Sequence, residues 1–295
     1  MVSLSIPINY MIIHNHTLKK RTIFFILCVL FIFWITVLLI VRVPSNERVW
    51  SEDQAVLPHA EFVDDVVYIK NIRNFTYTSK DEYIPSYYDK KVIIADIETV
   101  DYIVEPLASV AVAHTLLSFG LSDGSRIAIS VEIRKEAGED FSPTKGMFQE
   151  YEIMYVVVDE RDALILRAVH RDNPVYIYPT VASKESVQKL FVDMLTRATE
   201  LTKAPEFYNT LTNTCATNIA DHINNIVPEK VTWDYRLLLP KDSDVLAYEL
   251  GFIDNSVPLE DLRKTYLANE NIKRYVGSSN FSTAIRDSFT TDLAQ

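Results

Sequence analysis

The sequence predicts an α+β fold, an antiparallel sheet packed on helices behind one N-terminal transmembrane helix. Three observations predict it. An uncharged apolar run fills residues 22–41. The middle of the chain is a succession of short β-branched segments separated by turn residues. Near residue 183 the apolar spacing switches from alternate residues to a helical pattern.

Thr22 to Val41 read TIFFILCVLFIFWITVLLIV. A run of that length at helical rise spans about 30 Å, the hydrocarbon thickness of a bilayer. It is longer than the apolar core of a signal peptide, and no small-x-small cleavage site follows in VRVPSNERVW, so it reads as an uncleaved anchor. Lys19, Lys20 and Arg21 precede it and only Arg42 follows closely, which puts residues 1–21 in the cytoplasm and the rest outside. The first 42 residues carry four basic and no acidic side chains, so the net charge of −11 becomes −15 for residues 43–295. That balance argues against a nucleic-acid partner and against a polybasic dock on anionic headgroups. Residues 42–58 read as a linker and 59–254 as one folded domain. Residues 255–295 read as a C-terminal extension whose Ser- and Thr-rich end, from Ser278, is expected to be poorly ordered.

Val66–Ile72 and Asn74–Thr78 read as early strands, and Val92–Ile97 as a short β-branched one. Val110–Phe119 and Ile127–Ile133 flank Ser122-Asp123-Gly124 as a hairpin. Ile153–Val158 and Ala163–Val169 read as a second pair around Asp159-Glu160-Arg161-Asp162, followed by a strand at Val175–Tyr178. From Ser183 to Lys203 the apolar residues fall on one helical stripe, with Ser183 as N-cap and Pro205 as the stop. A second helix is predicted from about Cys215 to Val227, ended by Pro228, with Ile219, Ile223 and Ile226 on the face of Cys215. Trp233–Leu239 and Ser243–Leu250 are apolar enough to pack, and Gly251 suits a helix end.

Cys215 is one of two cysteines, and the other, Cys28, lies in the anchor. Outside the cytoplasm Cys215 therefore lacks a disulfide partner, which points to a reactive thiol or to intermolecular pairing. At a helix N-terminus the dipole favours the thiolate. The competing reading is a small buried hydrophobe. A thiol nucleophile needs a base, and the base an orienting partner. His14 and His16 precede the anchor, His59 ends the linker, His170 adjoins Arg171 and Asp172, and His222 is two turns along the Cys215 helix, about 10 Å away. His114 remains, in the strand AVAHTLL, where a satisfied core histidine is the competing reading.

A three-residue loop with Gly124 left-handed pairs Leu121 with Ser125 and, counting outward, His114 with Glu132. A two-residue loop would instead oppose His114 to Ile133. The competing role for Glu132 is a salt bridge to Arg134 or Lys135. The Cys215 backbone N–H could donate to an oxyanion, and Asn213 is the candidate side-chain support or, alternatively, the helix N-cap. With one thiol, one nearby histidine, no CxxC or HxxxH spacing and no glycine-rich phosphate loop, no metal or cofactor is expected. Cys at a helix start with His opposite Glu on a sheet follows the logic of papain-like thiol enzymes, in the circularly permuted order His, acid, Cys.

These residues resemble the bacterial Lnb N-terminal periplasmic domain family. The matching stretches are VWSEDQAVLPHAEF, KNIRNFTYTS, VAHTLLSFGLSDGSRIAISVEIRKE, YEIMYVVVDERDALILRAVHR, PEFYNTLTNTCATNI and WDYRLLLPKDSDVLAYELGF, spread over residues 49–252. The resemblance implies a thiol at Cys215, a histidine at His114 and an acid at Glu132. Some members look like lipoprotein N-acyltransferases, which move a fatty acyl chain onto the N-terminal cysteine amine of lipoproteins. The expectation is therefore a single-pass protein of the bacterial inner membrane with a periplasmic thiol acyltransferase domain. Its expected donor is a phospholipid and its expected acceptor a lipoprotein. A cysteine peptidase or amidase acting on cell-wall peptide, and a non-catalytic envelope scaffold, are the alternatives.

Overall fold

The computed structural model describes residues 8–107, 112–227 and 230–292. The chain divides into two units, Met1–Val43 and Pro44–Gln295. The first is a helix, α1 (Ile8–Val41). From Ile23 to Phe33 its described large apolar side chains are mostly about half exposed or more, with Phe24 at 70%. Among the described residues no helix is long and apolar enough to cross a membrane. The predicted span 22–41 includes positions 35 and 38–41, whose side chains lie outside the described ones.

Among the described residues the second unit holds ten strands. They are β1 (His59–Val63), β2 (Val66–Arg73), β3 (Thr76–Tyr77), β4 (Tyr83–Ile84), β5 (Tyr87–Ile93), β6 (Ile97–Pro106), β7 (Ala113–Leu121), β8 (Arg126–Arg134), β9 (Glu152–Asp159) and β10 (Tyr176–Pro179). Its helices are α2 (Pro143–Met147), α3 (Glu160–Ile165), α4 (Lys184–Lys203), α5 (Cys215–Ile226), α6 (Ser243–Glu249), α7 (Leu259–Thr265), α8 (Asn269–Tyr275) and α9 (Phe281–Asp292). The main sheet runs β1-β2-β9-β8-β7-β6-β10, with β5 also on β2. It is antiparallel as expected, except that β2 meets β9 in parallel at Arg73 and Val158.

The α+β class predicted from the pattern is the one observed. Alternate residues feed two cores. Leu117, Phe119, Ile129 and Val131 pack with α4 and with Cys215 and Ile219 of α5. Leu116, Ala128, Met154 and Val156 face α3, α8 and α9. The hairpin forms as the glycine rule requires. Gly124 has φ +81°, and the Leu121 N–H donates to the Ser125 carbonyl at 2.9 Å. The ladder then pairs Gly120 with Arg126 through to Leu116 with Ser130, the count that puts His114 beside Glu132. Positions 110 and 111 of the predicted strand lie outside the described residues.

Four expectations are corrected. Val92–Ile97 is only the end of β5 and a turn, and the long strand β6 follows it. Its charges at Asp101 and Glu105 hide the alternation, yet both are buried because arginines meet them: Arg126 and Arg286 for Asp101, Arg167 for Glu105. Ala163–Val169 is no strand. The Asp159 carboxylate caps α3, and the chain continues as a π-helix, Leu166–His170. Glu160 and Asp162 of its first turn are held by Arg286 and Arg73.

Residues 44–58 are not a loose linker. The Ser45 N–H donates to Glu152, Asn46 donates to the end of α4, and Arg134 reaches the carbonyls of Gln54 and Ala55. Nor are residues 278–292 poorly ordered, while positions 293–295 of that predicted tail lie outside the described residues. Phe281, Ile285 and Phe289 bury one face of α9, and Arg286 of the same helix pairs with Asp101 at 2.8 Å.

Candidate active site

The loop before α5 is fastened to β9, with Ile153 N–H donating to Glu206 and Tyr208 N–H to the Tyr151 carbonyl. It delivers Thr214, which caps α5 through a reciprocal box with Thr217. Cys215 is thus the first residue of a twelve-residue helix and is 9% exposed. Its N–H belongs to the first turn, where no intrahelical acceptor exists.

The helix does not pack across the face that carries His114 and Glu132. Cys215 shares a core with Leu117 and Val131, whereas Ser130 and Glu132 alternate onto the other face. The β7–β8 ladder ends at Leu116 and Ser130, and His114 and Thr115 lie beyond that pair. Beyond that last pair Cys215 lies near His114 and Thr115, both of which act on its ionisation. Burial pushes the thiol up. The hydrogen bond and charge of His114, with Thr115, more than offset this and hold it below its ordinary value. Burial likewise pulls His114 down, but Cys215 and the charge of Glu132 raise it above the usual imidazole value. The two shifts together favour a thiolate–imidazolium pair.

Glu132 reaches His114 both directly and through a residue the sequence did not suggest. Its Oε1 lies 3.6 Å from Nε2. Ser130 Oγ lies 2.6 Å from Nε2 and donates to Glu132 at 2.9 Å. The hydroxyl has one hydrogen, given to the carboxylate, so Nε2 must carry the proton between them. Burial disfavours the Glu132 carboxylate, but His114 and Arg167 hold it well below the usual range. Arg167, from the π-helix, lies 3.2 Å from Glu132 and 2.9 Å from Glu105, the residue opposite His114 on β6. Arg134 is occupied elsewhere, with its guanidinium 4.1 Å from the Trp50 ring centre.

Asn213 is placed in the loop beneath the helix. Its amide donates to the Phe207 carbonyl at 2.8 Å and its Oδ1 accepts from Asn218 at 2.7 Å, while Thr214 is the cap. His222 is distant from the thiol chemistry, bonded to Tyr155 and Asp193 at 2.6 Å each. Among the described residues no group of three or more His, Cys, Asp or Glu is arranged to hold a metal.

An apolar cavity of about 280 Å³ opens on the thiol side of the sheet. Val100, Leu117, Ala216, Ile219, Leu246 and Phe252 are among its walls. Ala216, the residue after Cys215 in α5, is one of its walls.

Residues 83–241, more than half of the 295-residue chain and including His114, Glu132 and Cys215, match the Lnb N-terminal periplasmic domain family. The chain belongs to this family. Membership makes it an envelope-related protein with a periplasmic domain. No curated protein and no solved structure matches it.

Proposed function

We propose that this Lnb-family chain is a periplasmic thiol acyltransferase, anchored in the bacterial inner membrane by residues 22–41. The order His114, Glu132, Cys215, with the thiol at a helix start, supports a circularly permuted papain-like mechanism. His114 takes the thiol proton. The thiolate attacks the ester carbonyl of a phospholipid, the S–C bond forms, and the leaving alkoxide takes the proton back from the imidazolium. An amine then attacks the thioester, gives its proton to His114, and the thiolate departs. In keeping with the family resemblance, the acceptor is the N-terminal amine of a lipoprotein.

The observation that carries the reading is the cavity. Its almost wholly apolar walls suit an alkyl chain. A peptide there would leave its N–H and C=O groups without partners, which disfavours the peptidase alternative. The test is intact mass spectrometry after exposure to phospholipid vesicles. An acyl mass on Cys215, removed by hydroxylamine and absent in Cys215→Ser, is expected. Cleavage of wall peptide without that mass supports a hydrolase, and full function of Cys215→Ser in cells supports a scaffold.

A further inference from the structure

Tyr102 stands on β6 opposite Leu117 and lines the cavity. The sequence reading passed over it, because the whole strand was missed. Among the described residues, two neighbouring hydroxyls have no hydrogen-bond partner of normal geometry. Thr115, next to His114 on β7, is fully buried, and Ser243, at the start of α6, is 4% exposed. Neither oxygen closes a hydrogen bond of normal geometry. Both nevertheless face the Tyr102 phenol, and Thr115 also faces the Cys215 sulphur. Ser243 lines the cavity as well. Buried hydroxyls left unpaired are uncommon and point to something that binds there.

Tyr102 and Ser243 give the otherwise apolar cavity a polar patch, and Tyr102 packs against the same core as Cys215. Burial pushes the Tyr102 phenol up. Charge at Cys215 and Asp244 adds to that, and the Ser243 and Thr115 hydroxyls oppose it only in part. The phenol therefore stays protonated and remains a hydrogen-bond donor.

We propose that Tyr102 is a catalytic residue of the acyl transfer, whose hydroxyl donates to the carbonyl oxygen as it becomes an oxyanion on Cys215. Thr115 and Ser243 orient the phenol. The alkyl chain lies along the apolar wall of α5 while its carbonyl sits between the phenol and the Cys215 N–H. As the S–C bond forms, the C=O π pair moves onto oxygen, and Tyr102 keeps its proton while bonding to that charge. Collapse restores the C=O and expels the alkoxide, protonated by His114. This role rests on the acyl-transfer reading.

The test uses the full chain in detergent and p-nitrophenyl decanoate as acyl donor. Two rates are measured, nitrophenolate release and alkylation of Cys215 by iodoacetamide, a displacement that forms no oxyanion. Removing one oxyanion donor lowers kcat about 10²–10³-fold. Tyr102→Phe is expected to lose roughly a hundredfold in kcat with KM and alkylation rate unchanged. Release at the wild-type rate overturns the role of Tyr102 alone. Alkylation falling in parallel also overturns it, because the phenol would then shape the thiol and not the reaction. Wild-type protein that forms no thioester overturns acyl transfer itself, and the role of Tyr102 with it.

Discussion

Ser130 Oγ lies 2.6 Å from His114 Nε2 while donating its only hydrogen to Glu132. The hydroxyl thus fixes the ring's tautomer, and the carboxylate stabilises the imidazolium through it. Ser130→Ala should lower turnover about tenfold, the scale of one hydrogen bond to a charged group. Its thermal midpoint should stay near wild type. Steady-state kinetics beside a melting curve checks this, and unchanged turnover would show that the direct 3.6 Å contact with Glu132 suffices.

The pH dependence of the thiol follows from its partners. Cys215 is held below and His114 above their ordinary values, so alkylation should rise at a midpoint below the usual thiol value of about 8.5. Glu132 raises His114. In Glu132→Gln the imidazolium is lost at lower pH, the thiolate loses its counter-charge, and the alkylation midpoint moves up. A normal midpoint in the wild type would favour the buried-hydrophobe reading of Cys215.

The register of the site depends on one left-handed residue. Gly124 has φ +81°, and a Cβ there would meet only Thr283 at 3.8 Å, so space is not the obstacle. Gly124→Ala should still cost about 1–2 kcal/mol from backbone strain. Urea unfolding measures this, and a neutral result would mean the turn tolerates another conformation.

The C-terminal helix is predicted to be a stabilising part of the fold. Arg286 meets Asp101 at 2.8 Å and Glu160 at 2.9 Å, both carboxylates buried. Arg286→Met leaves these acids short of positive charge and should cost about 3–5 kcal/mol. Despite its burial, Glu160 is held low by its arginines, so the loss should be greatest near neutral pH and ease in acid as Glu160 protonates. Calorimetry at two pH values separates this from simple loss of packing.

Chain selectivity offers a separate check on the cavity. Ala220 lines it one turn beyond Ala216. Ala220→Phe should suppress reaction with decanoyl esters more than tenfold relative to acetyl esters. Equal loss for both would place the alkyl chain elsewhere.

Much of the site was legible because it depends on local rules. The Ser122-Asp123-Gly124 turn dictated the register of His114 and Glu132, and Pro228 with the isoleucine spacing located α5. Strand β6 escaped because its alternation is broken by acids whose arginine partners lie 25 to 185 residues away along the chain. Residues 163–169 were misread because a short apolar run suits strand and helix alike, and the capping Asp159 was taken as a turn residue. Arg167 and Tyr102 carry no spacing signal because their contacts join distant segments, whereas Ser130 shares its strand face with Glu132 two residues on.

Cys215 lies near His114 and Thr115, just past the last β7–β8 pair, and their influence holds its thiol below the ordinary value. A site that makes sulphur comfortable as an anion also makes it a good leaving group. On the acyl-transfer proposal, an acyl group held on Cys215 would therefore sit on a bond that breaks readily, and its storage would be brief once an acceptor arrived.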